Sequence, residues 1–213
     1  MKRLTLFCGH YGSGKTNVCV NYAMHLRSMG LEVTVADLDI VNPYFRTKDS
    51  QAQLEEAGIR VISSPFANSN VDLIAIPSEA YSLTEDRSRY AVLDIGGDER
   101  GALALGRFSD AIREENDYEM LCVVNFYRPL TGTAEEVLGV MAEIEEACGL
   151  RFTGLVHNSN LGAQTTLRTI EDAQGEMLRL QELSGLPLAF TSADERIAAG
   201  GMFPLRLQKR VYE

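Results

Sequence analysis

Basic residues are scarce in this chain. Its 20 Lys and Arg face 30 Asp and Glu, a formal net charge of −10. Sequence-independent DNA binding is driven by Lys and Arg neutralising phosphates, so this balance argues against a nucleic-acid partner. It equally disfavours docking on anionic lipid. No apolar run approaches the ~20 residues that span a bilayer, and no terminal amphipathic helix offers a surface anchor. The first residues run straight into a strand-like segment without a signal-peptide pattern. A cytoplasmic protein with no membrane partner is expected. The basic segment Arg206–Glu213 reads as a terminal strand or tail rather than an anchor.

Cysteine and histidine are also sparse. Cys8, Cys19, Cys122 and Cys148 form no C-x-x-C pair, and each sits inside an apolar pattern. Buried, reduced thiols are expected, and an iron–sulfur or zinc site is not. His10, His25 and His157 are too scattered for a local metal site. There is no internal repeat and no low-complexity linker. The 213 residues, 45% hydrophobic and 23% charged, suit one domain over 1–213 with a full core.

What is present is concentrated at residues 9–16, Gly-His-Tyr-Gly-Ser-Gly-Lys-Thr, a complete G-x-x-x-x-G-K-[ST] loop. Gly9, Gly12 and Gly14 allow positive φ, so that successive N–H groups point inward as an anion nest. Lys15 can reach the β- and γ-phosphates, and the Thr16 hydroxyl can ligate Mg²⁺. The following helix turns its N-terminal dipole to the phosphates. The plainer alternative is a Gly-rich turn with a chance lysine. Context favours the loop: Leu4–Cys8 is a short β-prone run, and Val18, Cys19, Tyr22, Ala23 and Leu26 recur at helical spacing. The nucleotide contacts expected here are Gly9, His10, Tyr11, Gly12, Ser13, Gly14, Lys15, Thr16 and Asn17.

The chain alternates strands and helices, which predicts an α/β, three-layer P-loop NTPase fold: a mostly parallel sheet with helices on both faces. Strands are expected near 3–8, 32–38, 59–63, 90–95, 119–125, 152–158 and 187–191. Helices are expected near 15–29, 49–57, 77–85, 99–114, 133–148 and 165–184. The stretch 63–77 reads as a loop.

In open α/β sheets ligands sit at the carboxyl ends of strands. Two such ends carry acids. Val33–Asp39 finishes in Asp37-Leu38-Asp39, two acids at i, i+2 that share one side of an extended chain. They suit metal waters and an attacking water, or else a polar strand end before Asn42-Pro43. Tyr90–Asp98 finishes in Asp94-Ile95-Gly96-Gly97-Asp98. Asp94 fits a carboxylate holding a Mg²⁺-bound water, and Gly96 or Gly97 can offer an N–H to a γ-phosphate and move when it leaves. A Gly-rich turn with Asp98 as N-cap is the plainer reading, and both can hold.

In this order and spacing, the P-loop, the Asp-x-Asp strand end and the Asp-x-x-Gly segment resemble the MinD/ParA group of SIMIBI P-loop ATPases, over about residues 3–200. Asp37-Leu38-Asp39-Ile40 is similar to that group's switch I start, and Gly101–Leu105 to its sequence after the Asp94 segment. The resemblance implies Mg²⁺ and ATP as ligands. Lys15 and the loop amides would bind phosphates, and Thr16 would bind the metal. Asp94 would act through a metal water, Asp39 would orient the attacking water, and Asp37 would support the metal. It makes Asn158 the reader of the base, with Ser192–Asp194 closing over it. The guanine signature Asn-Lys-x-Asp is absent, since residues 158–161 are Asn-Ser-Asn-Leu, which favours ATP over GTP. The group's early lysine, which reaches a dimer partner's nucleotide, is replaced by His10, followed by Tyr11 instead of glycine. The trans-acting charge is missing or replaced. Arg46 and Arg100 are candidate substitutes, against the plainer reading of each as a surface arginine. In Asn125–Leu130 the aromatics read as structural, and Arg128 is left open.

Three functions compete. The first is a slow ATPase switching attachment to a protein partner, with a homodimer in one nucleotide state. The second is an ATP-dependent ligase or kinase resembling dethiobiotin synthetase or the cobyrinate amidation domains. The third is a metallochaperone GTPase of the HypB or UreG kind.

Overall fold

The computed structural model describes residues 1–39, 51–63, 78–97 and 99–207. Eight parallel strands form one sheet in the order β3-β2-β4-β1-β5-β6-β7-β8. They are β1 (Leu4–Cys8), β2 (Val33–Leu38), β3 (Arg60–Ser63), β4 (Tyr90–Ile95), β5 (Tyr118–Val124), β6 (Gly154–His157), β7 (Leu188–Asp194) and β8 (Phe203–Leu205). The seven expected strands are present. β8 was not foreseen: three residues containing Pro204 are too short for an alternation to show, and proline is tolerated at a sheet edge.

The helices are α1 (Lys15–Ser28), α2 (Gln51–Glu56), α3 (Ser82–Glu85), α4 (Glu99–Gly106), α5 (Ser109–Glu115), α6 (Ala134–Cys148), α7 (Leu167–Asp172) and α8 (Gln174–Ser184). A 3₁₀ turn at Ser78–Tyr81 precedes α3. The single helix expected over 99–114 is two, broken where Gly106 packs against α6. A methyl on Gly106 would stand 3.3 Å from the Ala147 carbonyl oxygen. The helix expected over 165–184 likewise divides at the buried Ala173. α6 begins with a capping box: Thr133 accepts from the Glu136 N–H, and Glu136 accepts in return from the Thr133 N–H.

Strand alternation sorts the core into two layers. Leu4, Leu6, Cys8, Ala36, Leu38, Leu93, Ile95, Met120, Cys122 and Val124 face the layer of α4, α6 and α8. Phe7, Val33, Val35, Val92, Leu121 and Val123 face α1. Where the apolar run on the α1 side ends, the next inward positions are Asp37 on β2 and Asp94 on β4. The two acids are register partners. β1 lies at the centre, where the crossovers change direction, so the crevice at its carboxyl end is the switch point of the sheet.

Candidate functional site

The loop between β1 and α1 has the backbone that its glycines foretell. Gly9, Gly12 and Gly14 have φ of 137°, 77° and 90°, and Gly14 is the left-handed N-cap of α1 without a side-chain cap. Space is as restrictive as conformation here. A methyl on Gly9 would lie 2.5 Å from the Val123 carbonyl oxygen, and one on Gly14 would lie 2.4 Å from Asn158 Nδ2. The first turn of α1 thus begins at the loop, where a helix N-terminus favours an anion. The Ser13 hydroxyl is buried and has no hydrogen-bond partner among the described residues.

Lys15 and Thr16 open α1 as buried residues. The Lys15 ammonium donates to the His10 carbonyl at 3.2 Å, so the lysine lies back across its own loop. The Thr16 hydroxyl donates to Asp94 Oδ2 at 2.6 Å. Asp94 is fully buried, and Asp37 and Asp39 are almost so. The Asp39 N–H donates to Asp37 Oδ1 at 3.0 Å, tying the two acids of β2 together. Thr16, Asp37 and Asp94 thus assemble from three elements. A hydroxyl and two carboxylates form a hard oxygen set of the kind that suits Mg²⁺, which takes one or two carboxylates and completes its shell with water and phosphate. Among the described residues no group of three His, Cys, Asp or Glu could hold a metal by itself.

Gly97 closes the other side of the loop. A methyl there would meet the Gly9 carbonyl oxygen, Lys15 Nζ and the Tyr11 N–H nitrogen, each at 2.8 Å. The segment after β4 therefore rests directly on the phosphate loop. His10 is half-buried, with Nδ1 3.1 Å from the Tyr11 carbonyl, and the Tyr11 ring is exposed. Asn17 is half-buried in the first turn of α1 and accepts from Asn21 through its carbonyl.

Asn158, just past β6, has a task that sequence alone did not suggest. Its Nδ2 donates to the Ser13 carbonyl at 2.7 Å, and its Oδ1 accepts from the Ser192 hydroxyl at 2.9 Å. It is buried and braces the phosphate loop against β7. Asn125, after β5, was likewise missed as a brace. Its Oδ1 accepts from the Tyr127 and Asn160 N–H groups at 3.0 and 3.1 Å, and its Nδ2 donates to the Asn160 carbonyl. The signal for both was a polar residue closing a buried apolar strand.

The aromatics of 125–130 are structural, as expected: Phe126 is buried, and the Tyr127 hydroxyl donates to the Thr169 carbonyl at 2.7 Å. Arg46, Asp98 and most of 63–77 lie outside the described residues, as does the side chain of Arg100. Ser192 is buried, and Asp194 pairs with Arg196, which holds its carboxyl below the usual range. The four cysteines are free and buried. Burial pushes the Cys8 and Cys19 thiols well up and Cys122 to about 12, which makes them inert. Among the described residues no helix is long and apolar enough to cross a membrane.

No protein-family model matches the chain, and no curated protein matches it. Solved structures do. The cell division protein FtsY of Thermotoga maritima is 20% identical with a TM-score of 0.59, over 90% of this chain and 62% of that one. Chloroplast FtsY of Physcomitrella patens is 17% identical with a TM-score of 0.60, over 98% and 63%. The signal recognition particle 54 kDa protein of Aeropyrum pernix K1, in complex with GDP, is 16% identical with a TM-score of 0.53, over 88% and 40%. The chain thus spans about three fifths of the FtsY structures and two fifths of the third. At these identities the likeness is one of fold, and the fold is the α/β P-loop NTPase architecture, with the glycine-rich loop after the central strand of a parallel sheet.

Proposed function

We propose that this protein binds Mg-ATP at the Gly9–Thr16 loop and hydrolyses it slowly, as a nucleotide switch acting on a protein partner in the manner of MinD/ParA ATPases. In this reading the loop amides and Lys15 hold the phosphates, with Gly9, His10, Tyr11, Gly12, Ser13, Gly14 and Asn17 forming the cradle. Thr16, Asp37 and Asp94 would hold Mg²⁺, which would supply charge neutralisation for the phosphates. Asp39 orients the water. Its oxygen bonds to the γ-phosphorus as the bond to the bridging oxygen breaks, giving ADP and inorganic phosphate with release of a proton.

The observation that carries the switch is the contact of Gly97 with Gly9, Tyr11 and Lys15. A terminal phosphate held by Lys15 must either receive the Gly97 N–H or push that segment away. Either response makes the backbone after β4 sensitive to the γ-phosphate. ATP is preferred to GTP because Leu161 stands where a guanine-reading acid is required, and it is exposed. Asn158, while bracing Ser13, keeps a second Nδ2 hydrogen for a base edge. The GDP bound in the Aeropyrum structure supports a guanine nucleotide as the second reading.

The test is calorimetric binding of ATP and GTP with and without Mg²⁺, with turnover and solution mass measured in the same states for wild type and Asp39→Ala. Mg-dependent ATP binding, slow hydrolysis and an ATP-trapped dimer in Asp39→Ala support the switch. Preferential GTP binding moves the assignment to the second reading. ATP binding by a persistent monomer without turnover points to a missing second substrate.

A further inference from the structure

The loop after β5 carries a cation for which no role has yet been given. Arg128 is exposed, and it has no hydrogen bond or ion pair through its side chain among the described residues. It does not extend freely into solvent, however. A methyl built on Gly12 would stand 3.4 Å from Arg128 Nε, 3.5 Å from Cδ and 3.7 Å from Cζ. The guanidinium therefore lies against the phosphate loop at its middle glycine.

The backbone that presents it is firmly built. The Asn125 carbonyl accepts from the Arg128 N–H at 3.2 Å and from the Thr131 hydroxyl at 2.9 Å. The Thr131 N–H returns to the Arg128 carbonyl at 3.3 Å. Tyr127 is fastened at its hydroxyl to α7, and Asn125 is held from two sides by the loop after β6. Leu130 takes φ 65°, a left-handed conformation that is uncommon for leucine. A strained, well-bonded loop thus keeps an uncompensated cation over Gly12, in a chain with an excess of acids.

We propose that Arg128 is a phosphate-contacting residue acting in cis, its guanidinium donating to the terminal phosphate oxygens of the bound nucleotide. This rests on the P-loop reading given above. The guanidinium fork matches two phosphate oxygens at once, and it would add a second cation to Lys15 at this loop. Its effect is greatest when charge builds on the transferring phosphoryl group.

The test uses the full chain with Arg128→Ala, Arg128→Lys and Lys15→Ala. Turnover of Mg-ATP is expected to fall by about 10³-fold in Arg128→Ala, the low end for an arginine at a transferring phosphoryl group. Arg128→Lys should recover part of it. Mg-ADP affinity should stay nearly unchanged, while the extra affinity for Mg-ADP with aluminium fluoride is lost. Unchanged turnover and unchanged aluminium fluoride binding overturn the assignment. So does recovery of activity on mixing Arg128→Ala with Lys15→Ala chains, which would make the arginine act in trans. If wild type itself binds no Mg-nucleotide, the P-loop reading fails first, and this control separates the two failures.

Discussion

Asp37 stands directly opposite Asp94 in the parallel register of β2 and β4, on the face that α1 covers. Adjacent strands lie about 4.8 Å apart, so two buried carboxylates are held as neighbours. The Thr16 hydroxyl donates to one of them. Two such carboxylates with a hydroxyl beside them make an oxygen set suited to a divalent cation.

The first prediction concerns that pair. Asp94→Asn is expected to weaken Mg²⁺-dependent nucleotide binding by about 10–100-fold, the usual range for loss of a partner close to a metal. Asp37→Asn should weaken it as well. Nucleotide titration with and without Mg²⁺ checks both. Binding left unchanged by both variants contradicts the account.

Glycine substitutions give the second. Gly14→Ala places a methyl 2.4 Å from Asn158 Nδ2 at a φ of 90°, and Gly97→Ala places one 2.8 Å from Lys15 Nζ. Gly14→Ala should lose both stability and nucleotide binding. Gly97→Ala should lose nucleotide affinity and some stability, since its methyl also meets the Gly9 carbonyl oxygen and the Tyr11 nitrogen at 2.8 Å. Gly139→Ala, in α6 with open space around it, is the control and should be neutral or slightly stabilising. Circular dichroism melts and nucleotide titration separate the three.

The third addresses the brace. Asn158→Ala leaves the Ser13 carbonyl without this donor and the Ser192 hydroxyl with only the 3.4 Å bond to the His157 carbonyl. Stability should fall by roughly 1–3 kcal/mol, measured by urea unfolding, and nucleotide affinity should fall with it. Asn158→Asp would set a carboxylate against the Ser13 carbonyl and should be worse than alanine.

The phosphate loop was legible because its demands are contiguous: three glycines, a lysine and a threonine within eight residues, between a strand and a helix. The facing of Asp37, Asp39 and Asp94 was also legible, since strand parity requires only that each strand be recognised. The contact of Asn158 with Ser13 was not, because it joins residues 145 apart in sequence and depends on which strands become neighbours. The position of Arg128 over Gly12 was hidden for the same reason. β8 was missed because three residues hold no period.

His157 supplies a pH prediction. Burial lowers its pKa from 6.5 to about 4, with Gln174 opposing. The folded protein therefore keeps it neutral, and below pH 6.5 the unfolded chain binds more protons. Stability is fully present above pH 6.5 and is lost as pH falls toward 4, by roughly 3 kcal/mol at full development. The unfolding free energy of His157→Gln should lose this part of the slope between pH 6.5 and 4.5, while the carboxylate contribution remains.

A last variant is a control away from the site. Thr133→Ala removes the hydroxyl that caps α6. It should cost about 1 kcal/mol of stability and leave nucleotide affinity unaltered. A change in affinity would mean that α6 reports to the phosphate loop.

The central position of β1 divides the crevice into two wings. β2 and β4 on one side contribute carboxylates, whereas β5, β6 and β7 on the other contribute amides and hydroxyls. Both wings support the loop that follows β1. Under the proposed function, a lineage can exchange one base for another by rebuilding the ends of β6 and β7 while the hydrolytic apparatus, Arg128 after β5 included, stays intact.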